Sequence, residues 1–342
     1  MDGFLNRRSD LALEAVEQFL GESSGEKRGV IKEEREEGDV TIVCVDVLDD
    51  YGEEIGKKPG RYVSIDTAKL GLDTSDKLEA VRNIFSDELR KMLIYKKIKD
   101  ESTCLVVGLG NEHITPDALG PLTLDHIIVT RHLYETGNIE EDDDFREVSA
   151  LAPGVMGLTG IETYDIIESV VKKVKPDFLI VIDALAARAV ARVNRMIQMT
   201  DTGISPGSGV GNRRRSIDEK SLGIPVIAIG IPTVVDAVSV ANDMIDLLLK
   251  HIGHSLNKEI GIENTSKGTE EVVSEKVRKD FLGKVGMLAP EEKRQLLMEV
   301  LTPAGENLIV TPKTIDSEIE DLSRLISNAL NITLHPNIQF SA

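Results

Sequence analysis

The 342-residue chain has only two cysteines, Cys44 and Cys104, and both lie inside apolar, strand-like runs. That scarcity excludes a disulfide framework and points to two packed, reduced core thiols. Long hydrophobic runs are lacking as well. No stretch approaches the roughly 18 uncharged apolar residues of a membrane span, and Met1-Asp2-Gly3-Phe4-Leu5-Asn6-Arg7-Arg8 has no apolar core of the secretory type. The expectation is a soluble, cytoplasmic protein with no membrane partner. Positive charge is in deficit: 40 Lys and Arg face 59 Asp and Glu, for a formal net charge of −19. A phosphate backbone is engaged by clustered cations, so direct, general nucleic-acid binding is not expected. The one basic cluster, Arg213-Arg214-Arg215, is too short to reverse that.

Nucleotide motifs are missing too. In Pro206-Gly207-Ser208-Gly209-Val210-Gly211-Asn212 the glycines alternate without the spacing of a dinucleotide fingerprint, and no Gly-Lys-Ser/Thr follows to hold phosphate and magnesium. Gly108-Leu109-Gly110 lacks the third glycine at the required interval. No cofactor is expected. The better reading of the 207–211 loop is that Gly207 and Gly209 let backbone approach an extended peptide closely, with Arg213 or Arg214 available to pair an acidic side chain of that peptide.

What is present has the rhythm of an α/β protein. Leu11, Ala15 and Phe19 give helical spacing over residues 10–20, and the polar run from Gly21 to Gly38 reads as a linker. Residues 40–47 and 61–65 read as strands, and Ser75 to Ile98 as a long amphipathic helix. Strand 103–109, a helix over about 116–135, a helix from Glu162 to Val174, strand 178–182, a helical turn or strand to Met199, strand 225–231 and a helix from Val235 to His251 follow. This succession predicts a doubly wound, mostly parallel sheet flanked by helices, with an extra β-hairpin and C-terminal helices at 290–301 and 315–331. Residues 252–280, highly charged and poor in large apolar side chains, read as a mobile excursion from a single domain spanning 11–342.

Against that background two aspartates stand out. Asp117 follows the apolar run 104–110, and Asp183 meets Phe178-Leu179-Ile180-Val181-Ile182 without a spacer, so both are expected in loops at the carboxyl ends of buried strands. In parallel sheets that is where the ligand crevice lies. An aspartate after a strand is often only the cap of the next helix. Here Thr115 followed by Pro116 reads as the cap and first helical position, which leaves Asp117 inside the first turn. Asp183 sits at the edge of a core, where a charge needs a partner, a proton or a metal. Two such carboxylates suggest an acid/base pair.

The segments GLGNEHITPDALGP at 108–121, VIDALAAR at 181–188, DTGISPGSGVGNRR at 201–214 and IGIPTVVDA at 229–237 together resemble the germination protease family of spore-forming bacteria. The likeness runs from Arg8-Ser9-Asp10-Leu11 to Leu334-His335-Pro336. The resemblance implies an endopeptidase of atypical aspartic type that degrades the small acid-soluble proteins coating spore DNA. It also implies a homotetrameric zymogen in the forespore or spore core, with Asp117 and Asp183 as the essential aspartates. An acidic enzyme would be repelled by DNA and would meet those substrates once they come free. The family cuts after a glutamate followed by an apolar and then a small residue, with a further glutamate downstream. Ser9-Asp10-Leu11-Ala12-Leu13-Glu14 imitates that pattern, so residues 1–10 are expected to be a propeptide removed by self-cleavage between Asp10 and Leu11. The residue-level alternative is that Asp10 merely caps a helix beginning at Leu11.

Peptide hydrolysis by two carboxylates needs one ionised and one neutral. Neighbouring carboxylates satisfy this by sharing a proton. Backbone amides from Thr115 to Ala118 are candidate oxyanion donors. A competing reading is a metallopeptidase, because Gly110-Asn111, Asp117-Ala118-Leu119-Gly120 is also similar to hydrogenase-maturation endopeptidases, whose matching acidic positions grip nickel with a histidine. After the strand ending near Gly230, however, no histidine occurs until His251, while His113 and His132 lie near Asp117 in sequence. Two carboxylates alone make a poor transition-metal site, so no metal is expected. Outside enzymes, the alternative is a silent scaffold that holds the substrate proteins without cutting them.

Overall fold

The computed structural model describes residues 9–20, 29–137, 145–206, 215–259, 283, 285–301 and 308–336. Its described residues form two compact units, one drawn from 1–187, 191–234 and 311–342, the other from 188–190 and 235–310. The sequence had suggested one domain from residue 11 to residue 342.

The larger unit is built on a mixed sheet. In chain order the elements are α1 (Ala12–Leu20), β1 (Val30–Glu37), β2 (Val40–Val47), α2 (Gly52–Ile55), β3 (Gly60–Asp66), α3 (Ser75–Tyr95), β4 (Cys104–Gly108), a 3-10 turn (Thr115–Asp117), α4 (Leu119–Leu124), α5 (Arg131–Glu135), β5 (Val148–Leu151), α6 (Met156–Thr159), α7 (Thr163–Val174), β6 (Phe178–Ala187), β7 (Met196–Thr200), α8 (Glu219–Leu222) and β8 (Val226–Asp236). The larger unit closes with α11 (Ile315–Leu334); the smaller unit holds α9 (Ala237–Glu259), α10 (Pro290–Leu301) and β9 (Ile309–Val310), which pairs with Val235 and Asp236 at the end of β8. The strand order is β1-β2-β3-β7-β8-β6-β4-β5, with β9 added to β8. β4 pairs in parallel with both β5 and β6, whereas β1, β2, β3, β7 and β8 are joined by antiparallel ladders.

Two apolar clusters explain why the sheet is covered on both faces. On one side Val81, Phe85, Leu89 and Met92 of α3, at helical spacing, meet Ile319, Leu322, Ile326 and Leu330 of α11 over Val106, Ile180 and Ile229 of the strands. On the other, Tyr164, Ile167 and Val171 of α7 lie over Leu105, Val107, Leu179 and Val181. Alternate residues of β4 and β6 therefore enter opposite cores, which is why these strands read as unbroken apolar runs. Each fully buried Leu, Ile or Phe contributes about 1.5–3 kcal/mol of burial free energy. Cys104 belongs to the first cluster, Cys44 is half-buried, and both are free thiols. Burial pushes the Cys104 thiol well above its ordinary range.

Several boundaries differ from the sequence reading. The supposed linker 21–38 contains a full strand, β1, in which every residue after Val30 is exposed. It is an edge strand, and its charges face water instead of marking an unstructured run. The single helix expected over 116–135 is broken, because Thr130 leaves the helical path to join the sheet edge: its N–H donates to the Val148 carbonyl at 2.9 Å and its hydroxyl accepts from the Val148 N–H at 2.9 Å. β6 and β8 run on to residues 187 and 236, past the expected ends at 182 and 231. α9 continues to Glu259, into the expected excursion, whose residues 260–280 lie outside the described ones.

Candidate active site

The loop after β4 is shaped by glycines at close approaches. A Cβ on Gly108 would lie 2.4 Å from the Gly120 carbonyl oxygen, and one on Gly120 would lie 2.2 Å from the Leu109 carbonyl oxygen. Only two glycines let the start of α4 fold back this tightly on the strand it has just left. Gly110 has φ +114°, and a Cβ there would meet the Asp117 carbonyl oxygen at 1.9 Å. Side chains are excluded at that position by backbone conformation and by space.

This fold-back places Asp117. It ends the 3-10 turn, is half-buried, and its Oδ2 accepts the Asn111 N–H at 2.9 Å. The same N–H lies 3.1 Å from the Asp117 carbonyl oxygen. Asn111 Oδ1 accepts the His113 N–H at 3.0 Å, closing the loop upon itself. Thr115 is not the N-cap expected: it lies within the turn, Ile114 precedes it, and no side chain caps the turn. The amides proposed for an oxyanion are also committed in part, because Asp117 N–H donates to the Ile114 carbonyl at 2.7 Å and Ala118 N–H to the Thr115 carbonyl at 3.1 Å.

Asp183 is not in a loop. β6 continues through it, and it is 7% exposed. The parallel ladder with β4 ends one residue earlier, at Gly108 opposite Ile182, and Leu109 N–H donates to the Ile182 carbonyl at 2.8 Å. Asp183 therefore stands where β6 first runs beyond its neighbour, the crevice position of a parallel sheet. The 3-10 turn carrying Asp117 packs against β6. The two aspartates, 66 positions apart in the sequence, are thus delivered to one end of β4 and β6.

A threonine that sequence reading passed over buttresses this turn. Thr233 of β8 is fully buried, and its hydroxyl donates to the Pro116 carbonyl at 2.6 Å. Its own carbonyl accepts from the Thr311 hydroxyl at 2.9 Å. The available signal was a threonine inside an otherwise apolar strand, Ile231-Pro232-Thr233-Val234.

The Asp10-Leu11 bond is also brought to β6. Asp10 N–H donates to the Ala186 carbonyl at 3.0 Å, and Asp10 Oδ2 accepts the Ala186 N–H at 2.9 Å. Lys57 Nζ and Gln198 Nε2 donate to the Asp10 carbonyl at 2.8 and 3.2 Å. Leu11 is fully buried and α1 starts at Ala12, so the Asp10 carboxylate grips a strand where a simple cap would hold the helix amides. Lys57 and Gln198 were not singled out from sequence. Gln198 was findable as a lone amide between Ile197 and Met199 of a buried strand.

The other expected residues are placed as follows. Gly207, Gly209, Arg213 and Arg214 lie outside the described residues. The neck of their loop is closed by an antiparallel bridge between Ile204 and Ile217. Arg215 next to it pairs with Asp165 at 2.8 Å and lies 4.0 Å from the centre of the Tyr164 ring. His113 is exposed, with Nε2 3.6 Å from Glu112 Oε1, and His132 belongs to α5. Among the described residues no three His, Cys, Asp or Glu side chains gather as a metal site.

An α/β sheet with a buried carboxylate within one strand and a second on the adjoining turn fits a hydrolytic class of site, in which paired acids move protons. Residues 8–341 match the model of the germination protease family. Germination protease of Bacillus velezensis (strain DSM 23117 / BGSC 10A6 / LMG 26770 / FZB42) is 48% identical over 345 residues, covering 97% of this chain and 94% of the relative. That of Priestia megaterium (strain ATCC 12872 / QMB1551) is 48% identical over 349 residues and that of Bacillus subtilis (strain 168) 46% identical over 345, with the same coverage. The chain belongs to the germination protease family and is an endopeptidase. Among solved structures, a [NiFe] hydrogenase maturation protease from Thermococcus kodakarensis KOD1 shares 18% identity over 38% of this chain and 74% of that one, with a TM-score of 0.26.

Proposed function

We propose that Asp117 and Asp183 are the acid/base pair of an aspartic endopeptidase that initiates the breakdown of small acid-soluble spore proteins at germination. The observation that carries this reading is the packing of the Asp117 turn against β6, just where β6 runs past β4 and presents Asp183. One ionised aspartate takes a proton from water, whose oxygen attacks the peptide carbonyl. The other, neutral, gives a proton to the carbonyl oxygen or the leaving amine. Burial of Asp183 favours this division of labour, since two neighbouring carboxylates in a poorly solvated setting do not both ionise cheaply. Gly207 and Gly209 would carry the peptide strand, and Arg213 and Arg214 would pair its acidic side chains. The chain acts without a metal or other cofactor, and as a homotetramer in the forespore or spore-core cytoplasm. The net charge of −19 keeps it from spore DNA, so it takes its substrates as they are released.

Residues 1–10 are the propeptide of a zymogen, and the chain cuts itself between Asp10 and Leu11. Support comes from the hold on Asp10: its carbonyl is gripped by two donors and its backbone is bonded to β6, three positions beyond Asp183.

The deciding experiment digests a purified small acid-soluble protein with the full chain and with Asp117→Asn and Asp183→Asn, each with and without a strong chelator. Cleavage by the parent in both conditions and by neither variant is expected. Substantial activity in a variant would remove that residue from the mechanism, and loss on chelation with recovery on one divalent metal would favour the metallopeptidase. Mild acid should convert the full-length chain to a form beginning Leu11-Ala12-Leu13-Glu14, and Asp183→Asn should block that conversion. Conversion at another bond would sink the self-processing reading.

A further inference from the structure

Half-buried Ser9 links buried Leu11 and Glu14 in a relay at the start of α1. The Leu11 N–H donates to Ser9 Oγ at 3.1 Å, and the Ser9 hydroxyl donates in turn to Glu14 Oε2. Glu14 is 6% exposed although it lies in the first turn of a helix, and Leu11 is fully buried. They are three positions apart, the spacing at which a first-turn glutamate reaches back to the backbone nitrogen ahead of the helix. Here a serine hydroxyl is interposed. Two cations face the same spot: Arg192 Nη1 lies 3.5 Å from Glu14 Oε1, and Lys57 Nζ donates to the Ser9 and Asp10 carbonyls. Of these contacts the self-processing reading uses only that of Lys57 with the Asp10 carbonyl.

We propose that Glu14 is the receptor for a new amino terminus. When the Asp10–Leu11 bond is hydrolysed, the Leu11 ammonium replaces the Ser9 hydroxyl and forms an ion pair with the Glu14 carboxylate. The inference rests on the self-processing reading. The reaction balances with water alone: its oxygen joins the Asp10 carbonyl carbon, the carbon–nitrogen bond breaks, and the products are an Asp10 carboxylate and a Leu11 ammonium. A positive end at the start of a helix is opposed by the helix dipole unless an acid in the first turn offsets it. Glu14 is that acid, already buried and within one hydroxyl of the nitrogen. The cut also removes the bonds between Asp10 and Ala186, so the helix needs a replacement anchor beside the Ala12 N–H to Gln198 bond. For the Leu11 nitrogen, a charge-assisted bond to Glu14 is about twice as strong as the neutral one it made to Ser9 Oγ.

The test is acylation of the processed protein by a small amine reagent, read by mass spectrometry on the N-terminal peptide. The Leu11 amine should react at least about tenfold more slowly in the parent than in Glu14→Gln, the loss expected when an ion pair holds it. Ser9→Ala should leave the labelling of the processed form unchanged, because Ser9 has departed. Glu14→Asp, which keeps the charge, should retain part of the protection and serves where Glu14→Gln does not fold. Equal labelling of parent and Glu14→Gln, or a parent amine as reactive as an exposed lysine, would overturn the proposal. Sequencing of the converted protein judges the self-processing reading separately. Where the natural cut is elsewhere or absent, the same terminus is made on a full chain whose residues 7–10 carry the recognition sequence of an added endopeptidase, and the same labelling outcomes apply.

Discussion

β1 and β6 belong to one sheet and treat charge in opposite ways. β1 carries Lys32, Glu33, Glu34, Arg35, Glu36 and Glu37 in succession, all exposed. Its ions pair with one another or with neighbours, as in Lys32 with Glu34 at 2.9 Å and Lys69 with Glu36 at 2.7 Å. β6 carries a single ionisable side chain, Asp183, in a strand of ten residues. On the edge strand a charge keeps its water and costs little, and it discourages pairing with another chain. In the interior of the sheet a carboxylate loses its water, so a partner, a proton or a task is needed to keep it there. The number of charges on a strand therefore says less about where to look for a site than the burial of one of them.

The strongest way to break this contrast is at the buried end. Asp183→Asn and Asp117→Asn keep side-chain volume but lose the exchangeable proton. Each should lower peptidase turnover by at least about 10³-fold while the fold and thermal midpoint persist. A variant that remains active would show that the buried charge on β6 is structural after all. Next comes the glycine that seats Asp117. Gly110→Ala forces a Cβ into the Asp117 carbonyl and a strained φ, so it should cost about 2–4 kcal/mol of stability. In whatever remains folded, misplacement of the carboxylate should cost about 10²-fold in turnover. Denaturant titration and single-turnover assays measure the two separately, and an alanine variant of parental stability would refute the close approach.

A smaller effect comes from His335, which is fully buried, with Nε2 3.2 Å from the Ile128 carbonyl and its ring 5.7 Å from that of Phe145. Burial, with the nearby Arg146 charge, lowers its pKa below the ordinary 6.5. The unfolded chain therefore binds the proton more readily than the folded one. The stability this histidine supplies is complete above about pH 6.5 and is lost as pH falls from there toward its depressed folded value. Between pH 7 and pH 5 the parent should lose more stability than His335→Gln, as measured by denaturant titration at the two pH values. Identical pH dependence in the two would show that the ring is solvated. The smallest effect belongs to β1: Glu34→Gln should change stability by no more than about 0.5 kcal/mol and leave turnover unchanged. A larger loss there would erase the distinction between the two strands.

Much of the architecture was legible where periodicity is strong. α3 and α11 show their apolar faces at every third or fourth residue, and β4 and the first half of β6 are runs that only strands buried on both faces sustain. β1 was illegible because its ladder partners, and not its side chains, make it a strand. The break after Leu124 was illegible for a related reason, since Thr130 is drawn away by β5, which lies beyond it in sequence. Both aspartates could be picked out as carboxylates at the end of apolar runs. Thr233, which supports the Asp117 turn, and Lys57 and Gln198, which hold Asp10, could not, because they act from strands and loops that come close only in the folded chain.

By itself the sequence determined the class of fold and the net negative charge, and it singled out two candidate acids, because alternation, apolar run length and net charge are local or additive properties. It also carried the glycines at 108, 110 and 120, whose spacing has meaning only once a strand and a helix are pressed together. The tertiary structure alone decided that Asp183 lies within a strand and that Asp117 is bonded to Asn111. It alone decided that Asp10 is tied to the same strand at Ala186. Those are matters of which distant backbone groups become neighbours when two apolar clusters close on either side of one sheet, and no window of sequence contains both partners.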